Sequence, residues 1–115
     1  MNRAISQNEV AVVRWLLDNA LIQGTAIPSQ DVSALQVVGG CACGCISISF
    51  DTADGSRIIA DAVARYSDGK QAGLLLWGTD AAVSSLEVYD LDPEASHRIP
   101  DVGVLRAWED YYESA

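Results

Sequence analysis

RIIADAVARYSDGKQAGLLLWGTDAAVSSLEVYD, residues 57–90, decides the fold. It divides into three runs rich in strand-forming residues, separated by SDGK and TDAA. Compact turn signals between such runs predict an antiparallel meander. Asp68-Gly69 suits a two-residue type I′ loop, whose central positions need φ > 0. That loop sets Val63 opposite Leu74 and Asp61 opposite Leu76, and opposite residues share a face of the sheet. One face then collects Ala60, Ala62, Ala64, Leu75 and Trp77. The other collects Ile59, Asp61, Val63, Arg65, Leu74 and Leu76. Pairing Gly78 with Val83 adds Leu86 and Val88 to the first face and Ser85, Glu87 and Tyr89 to the second. A one-residue bulge at that turn would swap the last strand.

The alanine row leaves room for a helix to lie close, and the N-terminus supplies one. Ser6-Gln7-Asn8-Glu9 is a capping-box pattern. Val10, Val13, Leu17, Ala20 and Leu21 follow at helical spacing, with Leu16 beside the stripe and Gly24 placed to end the helix. Residues 34–38 read as a short strand that Gly39-Gly40 breaks. Ile46, Ile48 and Phe50 alternate with serines, the pattern of a half-buried strand. Residues 101–108 fit a short helical turn that docks Val104, Leu105 and Trp108. The expected fold class is α+β: one domain, residues 1–115, with an N-terminal helix packed on a four- to five-stranded antiparallel β-meander.

Of the 115 residues, half are apolar and a fifth charged, as in a globular domain. Sixteen acidic against seven basic residues give a net charge of −9. That field repels phosphate backbones and anionic membranes, which argues against nucleic-acid and membrane partners and leaves room for a basic one. The first residues, MNRAISQNEV, lack the apolar core of a secretory signal. No apolar run approaches the ~20 residues of a membrane span. Three clustered cysteines are no disulfide framework, so the expected location is a reducing cytoplasm.

Cys41, Cys43 and Cys45 form the one unusual constellation. Residues two apart in a strand point the same way, so three thiols can line one side. With His97 they make a set that zinc accepts, although structural sites usually space their cysteines two to four residues apart. Cysteines at i and i+2 in a strand also lie ~6.7 Å apart, at the edge of disulfide reach. Packing of small, soft side chains in a Gly-rich crossing is the favoured reading, and metal binding or redox chemistry the alternative. No cofactor is otherwise implied. Asp61 and Glu87 share the second face at ~12 Å in this register, which suggests no acid–base pair. His97 lies in a loop between Ser96 and Arg98 with Glu94 and Asp101 in reach, but a lone loop histidine is usually solvated or hydrogen-bonded rather than catalytic. There is no G-x-S-x-G, H-E-x-x-H, phosphate loop or dinucleotide fingerprint. Trp15, Trp77 and Trp108 read as core anchors.

The expected function is therefore non-catalytic: a structural or interaction module. Ile59, Asp61, Val63, Arg65, Leu74, Leu76, Glu87 and Tyr89 make its candidate interaction face. One helix cannot cover both sides of a sheet, and four aliphatics left open would exceed what soluble monomers usually expose. A homodimer, or another protein partner, is the expected consequence.

LQVVGGCACGCISISF, IIADAVARYSDGKQAGLLLWGTD and LEVYDLDPEASHRIP together resemble a family of small uncharacterised bacterial proteins marked by a Cys-x-Cys-Gly-Cys segment and an LEVYD strand. The resemblance spans residues 13–108. It implies no activity, cofactor or catalytic residue. The family's turn after the LLLWG strand commonly looks like Asp-Gly, where Asp80-Ala81 stands here.

Overall fold

The computed structural model describes residues 3–22, 24–26, 28, 31–40, 47–51, 57–79, 81–93 and 99–108. Among these described residues, seven strands form one antiparallel sheet. They are β1 (Arg3–Ala4), β2 (Gln36–Gly40), β3 (Ile48–Phe50), β4 (Arg57–Arg65), β5 (Gln71–Gly78), β6 (Val83–Asp90) and β7 (Leu105–Ala107). Their spatial order is β1-β2-β3-β6-β5-β4-β7. One helix, α1 (Gln7–Asn19), packs on the sheet, so the α+β class holds. The expected four or five strands become seven, because β1 and β7 are too short to show a period in sequence. Short edge strands of this kind leave little unpaired backbone to recruit another chain.

The capping box forms as written. Ser6 Oγ accepts from the Glu9 amide at 3.1 Å, and Glu9 Oε1 accepts from the Ser6 amide at 2.8 Å. Glu9 is also held bidentately by Arg3, at 2.8 and 2.7 Å, which ties β1 to the first helical turn. The helix buries Val12, Val13, Leu16 and Leu17, so the buried stripe is rotated from the expected one and Val10 lies at its margin. Burying each such side chain contributes roughly 1.5–3 kcal/mol. The helix ends at Ala20 rather than Gly24, because the chain turns there to bond the edge of β4. The Asp61 amide donates to Ala20 O and the Ile22 amide to Ile59 O. Gly24 takes φ +88° in the loop beyond.

The β4–β5 hairpin departs from the expected register by one residue. The Tyr66 amide donates to Lys70 O and the Gly69 amide to Tyr66 O, so the loop is three residues, Ser67, Asp68 and Gly69. Gly69 alone takes the left-handed conformation, φ +86°, as in a type I turn closed by a glycine bulge. Ala62 therefore faces Leu74, Ala60 faces Leu76, and Asp61 faces Leu75. Leu74 and Leu76 join the alanines under α1, while Leu75 and Trp77 turn to the opposite side. A bulge at Trp77/Gly78 then shifts β6 by one more residue, setting Leu76 against Leu86 and Leu74 against Val88. The two slips cancel, and Leu86 and Val88 lie on the alanine face as expected. Ile59, the extra residue of a bulge in β4, is fully buried in the core.

Gly39-Gly40 continues β2 through a bulge instead of ending it. In β3, Ile48 and Phe50 are buried and Ser49 exposed, matching the alternation. The C-terminal turn is a single 3-10 turn, Val102–Val104, leading into β7, which pairs with Ala62, Val63 and Ala64. Among the described residues, no helix is long and apolar enough to cross a membrane.

Candidate interaction face

The side of the sheet away from α1 is built in rungs. The ladders place Ile58, Trp77 and Ser85 in one rung and Asp61, Leu75 and Glu87 in the next. Arg106, Val63, Gly73 and Tyr89 form the third, and Arg65 with Gln71 the fourth. Trp108, one residue beyond β7, lands beside Asp61. Leu75, Trp77, Tyr89, Trp108, Asp61 and Glu87 are all half-buried. Val63 is only 1% exposed yet lies outside the main core cluster.

The polar groups hold the aromatic ones in place. Trp108 Nε1 donates to Asp61 Oδ1 at 2.7 Å, and Trp77 Nε1 donates to Glu87 Oε1 at 3.3 Å, a longer bond. Tyr89 lies across Gly73, whose missing side chain leaves the space the ring fills. Desolvation raises the Tyr89 hydroxyl above its ordinary pKa, and the nearby charges of Asp61 and then Glu87 push the same way. Asp61 and Glu87 stand two strands apart in one rung, ~10 Å between Cα atoms, closer than the expected ~12 Å. Each is an acceptor for an indole, which suits a surface held in one geometry better than a proton-transfer pair.

Of the eight residues expected on this face, the structure brings together five: Asp61, Val63, Arg65, Glu87 and Tyr89. Ile59, Leu74 and Leu76 are each fully buried on the helix side. All four aliphatics behind the homodimer expectation, Val63 included, are thus covered within the chain, and that apolar argument falls with them. Leu75, Trp77 and Trp108 take their place, so two of the three tryptophans expected as core anchors lie here. Trp15 packs against the core cluster. Gly73 was the available signal, because a glycine inside a strand often marks the close approach of another group. Cys41, Cys43, Cys45 and His97 lie outside the described residues. Among the described residues, no three metal-ligating side chains gather.

An open groove beside the start of α1 is lined by Ile5, Gln7, Val10, Ala11, Arg14 and Ser33. Arg14 is the charged side chain in that lining, which also includes the polar Gln7 and Ser33. Comparison with protein-family models, with curated proteins and with solved structures finds no match to this chain.

Proposed function

We propose that the protein is a non-catalytic association module that works through the open face of its sheet. The observation carrying this reading is the pair of indoles, Trp77 and Trp108, fixed half-exposed by Glu87 and Asp61 beside Leu75 and Tyr89. Aromatic side chains and arginines dominate the energetics of protein interfaces, and anchors already ordered in the free protein lose little entropy on binding. The absence of any nucleophile–base–orienter set among the described residues of this face supports a binding role over a catalytic one. The clustered cysteines support a reducing, cytoplasmic setting for it.

In-cell photo-crosslinking tests the reading. A photoreactive amino acid at Leu75 should yield a covalent protein adduct, and the same group at Asp18, on the exposed side of α1, should not. Equal labelling at the two positions, or none at Leu75, would overturn it. The adduct mass separates a second copy of the 12.2 kDa chain from any other partner.

A further inference from the structure

Resting on that reading, we infer that the occupant of the face is a second copy of this chain. The two copies are related by a two-fold axis that runs across the strands, along the Val63–Gly73–Tyr89 rung. The argument is one of charge placement. Asp61 and Arg65 sit two residues to either side of Val63 on the same strand face. They are ~13 Å apart at Cα, too far to pair directly with each other, and one oxygen of Asp61 already accepts from Trp108. Turning a second sheet face to face about the central rung leaves that rung against itself. It carries Asp61 onto the partner's Arg65 and Arg65 onto the partner's Asp61. Such reciprocity, residue i to j and j to i, is what a closed two-fold contact requires.

The same operation sets Leu75 over the partner's Gln71 and brings the two Tyr89 rings side by side, where Gly73 lets each lie flat. Arg106 lies on the axis rung but at the rim. Its Nη1 donates back to Leu105 O at 2.7 Å and Gly103 O at 3.3 Å, within its own chain. Packed sheets also rotate by ~30° relative to one another, which separates the outer strands further.

Area fixes the strength. Four strands of the face, ~19 Å across and ~27 Å long, cover ~500 Å² per copy. Roughly 1,000 Å² in total is the lower limit for a specific interface, so the dimer is reversible and weak.

Sedimentation velocity across a concentration series tests it, with the parent, Asp61→Arg, Arg65→Asp and an equimolar mixture of the two variants. The parent should shift from monomer to dimer as concentration rises into the micromolar range. At physiological salt, where the long-range net-charge term is screened, each variant alone should associate at least ~10-fold more weakly, because like charges then meet across the axis. The mixture should recover a heterodimer, since the two substitutions restore opposite charges only between different chains. A parent that stays monomeric up to ~1 mM overturns the inference, as does a mixture no tighter than its components. The parent series stands even if a variant fails to fold. A monomeric parent with a Leu75 adduct to some other protein would reject self-association while leaving the association module intact.

Discussion

Gly73 and Tyr89 carry the argument at the scale of single residues. A Cβ on Gly73 would collide with the Tyr89 ring and hydroxyl. Gly73→Ala should therefore displace the ring from β5 and destabilise the fold by ~1–3 kcal/mol, the usual cost of overpacking. Urea denaturation measures this, and a double-mutant cycle identifies the cause. In a Tyr89→Ala background the same substitution should cost clearly less, because the clash has gone. Equal costs in the two backgrounds would mean that Gly73 is required for its backbone alone. How much of this face could be read from sequence depended on equally local facts. Leu74-Leu75-Leu76 is a run of three identical side chains, so it carries no alternation to say which leucines point inward. The turn had to decide, and SDGK fits two loops, both with a left-handed glycine. The three-residue loop needs φ > 0 only at Gly69, whereas a type I′ turn would also force Asp68 there. In the observed loop Asp68 Oδ1 instead accepts from the Lys70 amide at 3.0 Å. The cheaper backbone wins, and the parity of β5 follows from it.

Elements were easier to read than registers. The capping box, the helix start, the β4–β6 meander and the Ile48/Phe50 alternation are each set by residues within a few positions of one another. β1 and β7 depend on long-range pairing, Arg3 with Val37 and Leu105 with Ala64, that no local pattern encodes. The Arg3–Glu9 bridge is the device that joins a legible element to an illegible one, and it gives stability a pH dependence. Hydrogen bonding from Arg3 is the largest influence on Glu9 and lowers its carboxyl pKa, with the Ser6 bonds and the arginine charge adding to it against desolvation. A carboxylate whose pKa is depressed by folding stabilises fully above its unfolded value, ~4.3 for glutamate. That contribution drains away as pH falls through the lower folded-state value. Glu9→Gln keeps an acceptor for the Ser6 amide but cannot ionise. It should be less stable than the parent at neutral pH, and the difference should shrink as the pH drops below ~4. Thermal unfolding of the two proteins from neutral to acid pH checks this. A gap that stays constant with pH would remove the ionised bridge from the account.

For the whole molecule the decisive quantity is the net charge of −9, which sets two copies against each other before any surface meets. Packed face to face, their centres would lie about one short axis apart, 23 Å. Unscreened in water, that repulsion is of order 15 kcal/mol. The attraction offered by two exposed Asp61–Arg65 pairs is only ~0–1 kcal/mol each. Salt weakens both, but the long-range sum has far more to lose. The Debye length falls from ~30 Å at 0.01 M to ~8 Å at 0.15 M, well below the separation of the centres. Dimerisation should therefore tighten as ionic strength rises over that range, the reverse of what a contact held mainly by its ion pairs would do. At fixed physiological salt, exchanging Asp61 and Arg65 together within one chain preserves the net charge and the reciprocal pairing but removes the acceptor that holds Trp108, so the loss of affinity it causes measures that anchor. Light scattering against salt concentration, on the parent and on the exchanged variant, reads both effects. A parent dimer that dissociates as salt is raised would show that its association rests on ion pairs, not on the aromatic face.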